Sequence, residues 1–203
     1  PEGAHPSFSP DGRKIVYSTE RVTNPLSRST IASLWVVDVA SGEKKRIYEG
    51  DAAQPVWSPS GKRIAFFAVN EGQRDLGTIP AEGGELITVT HDPAADWDPF
   101  WSPDDRWLYF FSDRRGGPDL WRIAVDGASG VVSGEPEPVT SGSSRPMQGS
   151  LSADGRRIAL EIDASRGELL KTAFDPVACR PLGPPATLFA SSSPFTQVDV
   201  SHD

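Results

Sequence analysis

Pro6-Ser7-Phe8-Ser9-Pro10-Asp11-Gly12-Arg13-Lys14-Ile15-Val16-Tyr17-Ser18 sets a tight turn between two apolar stretches. Pro presets φ, Asp accepts a hydrogen bond from the backbone ahead of it, and Gly takes φ > 0 without a steric penalty. The pattern returns as Pro55-Val56-Trp57-Ser58-Pro59-Ser60-Gly61-Lys62-Arg63-Ile64-Ala65-Phe66-Phe67. It returns again as Pro99-Phe100-Trp101-Ser102-Pro103-Asp104-Asp105-Arg106-Trp107-Leu108-Tyr109-Phe110-Phe111. A weaker fourth copy spans Gly149 to Leu160, and a fifth begins at Val198-Asp199-Val200-Ser201-His202-Asp203. The aligned serines, Ser9, Ser58, Ser102, Ser152 and Ser201, stand 49, 44, 50 and 49 residues apart. A period of this size suits one four-stranded propeller blade.

The strand after each turn is almost wholly apolar, as in Ile64-Ala65-Phe66-Phe67. A strand with one wet face would alternate, so these strands are expected to be buried on both faces, as stacked blades require. Two further strands complete each copy. They are read at Ser33–Val39 and Lys45–Tyr48, Asp75–Pro80 and Leu86–Thr90, Asp119–Val125 and Glu137–Thr140, and Glu168–Phe174 and Ala186–Phe189. Gly77 stands where the first and third copies carry Trp, which predicts poorer packing at that edge. The segment from Arg21 to Ala32, with Pro25 and many hydroxyl residues, reads as an excursion loop. The sequence therefore predicts an all-β propeller of four-stranded antiparallel blades, four complete repeats plus the start of a fifth, as a partial or truncated ring. The whole chain is taken as one propeller domain, with blades at about 4–49, 54–90, 98–140 and 148–189 and the next starting at 197–203.

The 203 residues carry a formal net charge of −8 and no Lys/Arg-rich run, which argues against a nucleic-acid partner. Cys179 is the single cysteine, so no disulfide forms within the chain. No apolar run is long enough for a membrane-spanning helix. The chain opens at Pro1 and closes inside a repeat, and it is expected to be a fragment or a processed chain.

The Ser-Pro-Asp-Gly core, the basic residues and apolar strand after it, and Asp119-Leu120-Trp121-Arg122 resemble the WD40-like PD40 repeats of TolB-type bacterial β-propellers. The second copy departs at Ser60, the third at Asp105 and the fourth at Ala153, where Asp, Gly and Pro are usual. The resemblance implies a non-catalytic protein- or peptide-binding module, part of a larger bacterial protein, in a periplasmic or extracytoplasmic setting. It equally admits an accessory propeller of an enzyme, such as a prolyl-oligopeptidase-like peptidase or a receptor-type Ser/Thr kinase. A ring of six blades is usual for TolB, so open blade edges here offer a route to self-association.

No G-x-S-x-G elbow is present, and the repeat serines are expected to cap turns rather than act as nucleophiles. His5, His91 and His202 are read as solvated loop residues, and Cys179 as an outer-strand or loop residue. Asp92, Asp96, Asp98, Asp104 and Asp105 could approach the density of a Ca²⁺ site, but they lack its spacing and are read as an acidic rim. No metal and no cofactor is expected. The first strand of each blade is expected to line the central channel, which puts the residues before each motif at its mouth. They are polar: His5, Gln54, Asp98, Gln148 and Gln197, with Asp51, Asp96 and Arg145 nearby. From these, His5, Gln54, Asp96, Asp98, Arg145, Gln148 and Gln197 are the candidate ligand contacts.

Overall fold

Each turn motif folds through one repeated set of hydrogen bonds. The Ser9 amide donates to Lys14 O at 2.8 Å, the Gly12 amide returns to Ser9 O at 2.8 Å, and the Lys14 amide donates to Ser9 Oγ at 2.9 Å. Ser58, Ser102 and Ser152 repeat the pattern with Arg63, Trp107 and Arg157. Ser9, Ser102 and Ser152 also donate to Asp11, Asp104 and Asp154, and these bonds hold the three carboxyls below their ordinary value. The serines therefore act as turn caps. Gly12, Gly61 and Gly155 have φ of 70°, 71° and 65°, and Asp105 holds the same conformation at φ 64°. Asp is among the few non-glycine residues enriched there.

The structure is a computed structural model, and it describes residues 3–19, 32–140, 145–163, 167–171, 174–175 and 180–191. The chain divides into two compact units, Pro1–Ile162 and Asp163–Asp203. The first unit holds three antiparallel four-stranded sheets, each a simple meander. They are β1 (Ala4–Phe8), β2 (Lys14–Ser18), β3 (Leu34–Asp38) and β4 (Lys44–Tyr48); β5 (Ala52–Trp57), β6 (Arg63–Asn70), β7 (Gln73–Pro80) and β8 (Ile87–Thr88); and β9 (Asp96–Trp101), β10 (Trp107–Ser112), β11 (Asp119–Val125) and β12 (Val132–Pro138). A fourth sheet of two strands, β13 (Arg145–Leu151) and β14 (Ile158–Asp163), follows. The first strands of successive sheets, β1, β5, β9 and β13, lie next to one another.

The core lies between sheets. Alternate residues of a strand face opposite ways. Val16, Leu34, Val36 and Ile47 of the first sheet meet Trp57, Ile64, Phe66 and Ile79 of the second. Ala65, Phe67 and Leu76, on the other face of the second, meet Trp101, Leu108, Phe110 and Ile123 of the third. The third sheet's far face packs Leu151 and Leu160. The apolar strands β6 and β10 are thus buried on both faces, as their pattern requires, whereas in the fourth copy Ile158 of β14 is 39% exposed.

Several strands differ from the sequence reading. In the third copy the fourth strand runs Val132–Pro138 rather than Glu137–Thr140, because the β11–β12 turn closes early. Asp126 caps that turn by accepting from the Ala128 and Ser129 amides at 3.1 and 2.7 Å. In the second copy β8 shrinks to Ile87–Thr88. Leu86 supplies the missing bulk at Gly77: a Cβ on Gly77 would sit 2.6 Å from Leu86 Cδ1, so leucine occupies the place of the tryptophan. In the second unit, β15 (Gly167–Lys171) pairs with β18 (Ala186–Ser191), and β16 (Phe174–Asp175) pairs with β17 (Arg180–Pro181). The strand read to Phe174 therefore ends at Lys171, and Phe174 opens a hairpin of its own. The Arg21–Ala32 loop (but for Ala32), Cys179, Gln197, Ser201, His202 and the start of the fifth repeat lie outside the described residues.

Candidate functional site at the starts of the first strands

His5, Gln54 and Asp98 occupy equivalent places near the starts of β1, β5 and β9, and all three have positive φ, at 50°, 53° and 49°. Left-handed backbone is uncommon for residues other than glycine. Each lies where its strand slips register against its neighbour: between Ala4 and Ser7 in β1, between Ala53 and Val56 in β5, and in β9 opposite Tyr109 and Phe111. The extra residue of each bulge turns its backbone out of the sheet ladder and leaves its polar groups to find other partners.

Those partners come from the next sheet. The Asp98 amide donates to Gln54 Oε1 at 2.8 Å, and the Gly149 amide donates to Asp98 Oδ2 at 3.2 Å. A bulge side chain in one sheet thus satisfies a backbone amide in the following one, and the second, third and fourth sheets are linked in series. Trp97 Nε1 adds a bond to Met147 O at 3.2 Å across the same junction. Among the described residues, Gln54 Nε2 and Asp98 Oδ1 have no protein partner, so the pair keeps one donor group and one acceptor. Burial pushes the Asp98 carboxyl up to about 6, the Gly149 bond opposes this, and Glu161 on β14 adds to it.

The other predicted residues take different positions. Asp96 is fully buried, and Arg114 Nη2 holds both its oxygens at 2.9 and 3.0 Å. Burial raises the Asp96 carboxyl, while hydrogen bonds from Ser112 and Thr90 and the charge of Arg114 oppose the rise. Arg114 also reaches Asp92 at 3.2 Å and packs over the rings of Phe110 and Trp121. The acidic group is therefore not a solvated rim: Asp92 and Asp96 clamp Arg114, Asp98 joins two sheets, and Asp104 caps a turn. No cluster of acids, histidines and cysteines suited to a metal occurs among the described residues. His5 is half-buried in β1 rather than solvated, whereas His91 is exposed with Nδ1 3.8 Å from Asp75. Arg145 opens β13, and Gln148 is exposed on the same strand. Sequence reasoning missed Arg114, Thr90, Ser112 and Gly149. Only the polar residues at one repeated position hinted at Gly149, and nothing in the repeat pattern marks the Arg114 clamp.

Chemically, Gln54 Nε2 and Asp98 Oδ1 offer a donor and an acceptor from adjacent sheets. One peptide group presents the complementary pair, a carbonyl oxygen and an amide hydrogen.

The TolB beta propeller domain family, PD40, matches residues 4–175. The chain belongs to this family. A Tol-Pal system protein TolB from Anaeromyxobacter dehalogenans is 35% identical over 101 residues, which cover 46% of this chain and 20% of that protein. An uncharacterized peptidase, YuxL, from Bacillus subtilis is 31% identical over 91 residues, covering 43% of this chain and 14% of that protein. The crystal structure of TolB from Acinetobacter baumannii superposes with a TM-score of 0.59 at 27% identity, covering 78% of this chain and 37% of that one. This TolB-type propeller therefore has relatives both in TolB and in peptidases, and it spans well under half the length of each. Among the described residues, no helix is long and apolar enough to cross a membrane.

Proposed function

We propose that this propeller is a non-catalytic protein- or peptide-binding module that receives a peptide segment at the bulged starts of its first strands. The observation that carries this reading is the residual pair on neighbouring sheets, Gln54 Nε2 and Asp98 Oδ1, held in place by left-handed bulges and inter-sheet bonds. Strained, over-determined backbone of this kind clusters at ligand clamps and switch regions. His5 and Gln148 extend the same row on β1 and β13, with Arg145 as a further contact. Asp96 acts beneath it as a support for Arg114.

Two substitutions test this without removing the bonds between sheets. Gln54→Glu keeps the acceptor for Asp98, and Asp98→Asn keeps an acceptor for Gly149, while each changes the atom not engaged between the sheets. A random peptide library panned on the wild-type chain is expected to yield binders whose capture falls at least tenfold on the double variant. No binders, or undiminished capture, would count against the reading.

The similarity to a peptidase supports a second reading, in which the module is the accessory propeller of a peptidase or another enzyme. Reading the complete gene tests it: an adjoining hydrolase domain with a G-x-S-x-G elbow supports it, and neither that nor a kinase domain nearby removes it. The similarity to TolB favours a periplasmic or extracytoplasmic setting, which a reporter fusion of the full gene product would check. The outward face of the first sheet, where Phe8 is 62% exposed, is the surface for self-association. Light scattering that finds only monomer at high concentration would refute that.

A further inference from the structure

The two seams between the first three sheets differ at the turn end, opposite the bulges. At the second seam Arg63 is buried between sheets, 5% exposed, with Nε on Thr78 Oγ1 at 3.0 Å and Nη2 on Thr78 O at 2.9 Å. Gly130 of the third sheet closes over the guanidinium; a Cβ there would stand 2.6 Å from Cζ. Strand register makes Lys14 the first-sheet equivalent of Arg63, since Lys14 pairs with Asp38 as Arg63 pairs with Pro80, and it makes Val36 the equivalent of Thr78. Lys14 does not fold inward. Its Nζ reaches Glu82 Oε1 of the second sheet at 2.7 Å, and Lys45 Nζ donates to Glu82 O at 2.8 Å. A cleft of about 420 Å³ remains at the place where the second seam holds its own guanidinium.

We propose that this cleft binds an arginine side chain presented by a partner protein. Val36, Ile47 and Ala81 form an apolar floor for the methylene stem. Asp38, Glu43 and Glu82 line the walls, three carboxylates against the two ammonium groups of Lys14 and Lys45. Asp38 caps its turn through Oδ1 alone, and among the described residues Oδ2 and the Glu43 carboxylate have no hydrogen-bond partner. A planar guanidinium fork fits two such carboxylates better than a point-like ammonium does, and Arg63 shows that the seam has its shape. Glu82 is 69% exposed, so its pairing with Lys14 rearranges at little cost. The chain's net charge of −8 favours a cationic partner. The cleft lies at the other end of the sheets from the bulged strand starts, so this proposal stands or falls independently of the function proposed above.

The test is an NMR titration of the 203-residue chain with Nα-acetyl-arginine N-methylamide. Expected are saturable shifts of the Val36, Ile47 and Ala81 amides, with a Kd on the order of millimolar. The citrulline analogue, of equal shape but uncharged, is expected to bind at least tenfold more weakly. The Asp38→Asn, Glu43→Gln double variant keeps the turn cap and is expected to lose at least fivefold. Lys14→Arg supplies the chain's own guanidinium in the manner of Arg63 and is expected to abolish binding while the thermal transition stays cooperative. A guanidinium that leaves these amides unshifted, a citrulline analogue that binds equally well, or unchanged binding by a folded Lys14→Arg variant overturns the proposal. Tighter binding of free L-arginine than of the blocked compound would overturn the protein-partner source.

Discussion

The seam between the second and third sheets is closed by the chain's own groups along its whole length, whereas the seam between the first and second is closed only in part. Gln54 joins Asp98 at one end of the closed seam, aromatic side chains fill its middle, and at the other end Ser60 Oγ bonds Gly127 O while Arg63 lies beneath Gly130. The other seam has the same strand register and the same alternation of apolar faces, with Trp57 in the role of Trp101. Yet it replaces the buried arginine with a surface lysine pair and leaves a cleft. One repeat can thus build a closed joint or an open one by exchanging Arg63 and Thr78 for Lys14 and Val36 at the turn end. The first sheet adds a third case: Phe8, the equivalent of Trp57 and Trp101, has no preceding sheet against it among the described residues and is 62% exposed, against 7% and 6% for the tryptophans.

The largest expected effect breaks the seams in their middles. Trp57→Ala and Trp101→Ala should each cost about 3–5 kcal/mol in urea unfolding, while Phe8→Ala should stay within about 0.5 kcal/mol. Equal losses at all three would mean that Phe8 is covered in solution.

Next in size is the pH dependence of the Asp98 link. Its carboxyl is raised in the folded chain, so the folded state keeps its proton to higher pH than the unfolded state does. The group's contribution to stability is therefore greatest at low pH, and it declines as pH rises from the ordinary value of 3.8 through about 6. Asp98→Asn retains the acceptor for Gly149 and suits the left-handed backbone. It should stabilise the chain by about 1–3 kcal/mol at about pH 8 and by close to nothing near about pH 4, read from chemical denaturation at both. A gain of equal size at both pH values would locate the strain in the backbone rather than in the charge.

A smaller contrast separates packing from backbone strain. Gly42 and Gly130 have similar φ, 71° and 80°, but only Gly130 lies against a guanidinium. Gly42→Ala should cost about 1 kcal/mol and Gly130→Ala about 1–2 kcal/mol more. Equal costs would show that the closed seam yields easily. Smallest of all, Asp105→Gly should gain about 0.5 kcal/mol by restoring the turn's usual residue at φ 64°, measured as a rise in Tm. A loss would assign Asp105 a packing role beside Gly127.

The propeller repeat was legible because its signal is local and repeated. Ser-Pro-Asp-Gly fixes the turn, and an uninterrupted apolar strand requires burial on both faces. That His5, Gln54 and Asp98 occupy one equivalent place was legible as well, since they recur at one offset from the turn. Their left-handed φ was not, because nothing in a dipeptide such as Gln54-Pro55 or Asp98-Pro99 announces a bulge; it arises from how β5 and β9 meet their neighbours. The pairing of Asp96 with Arg114 was equally hidden, as it joins residues 18 apart, one in β9 and one in the turn after β10. Leu86 occupies the space above Gly77, a substitution of one side chain for another that strand patterns do not record.

Amide hydrogen exchange tests the central claim most directly, that bulge side chains fasten the second sheet to the third and the third to the fourth. The Asp98 and Gly149 amides should exchange as slowly as the ladder amides of β10. In Gln54→Ala the Asp98 amide should speed up at least tenfold while the Trp107 amide, bonded to Ser102 Oγ, keeps its rate. Rapid exchange at Asp98 in the wild-type chain, or a rate untouched by the loss of Gln54, would contradict the account.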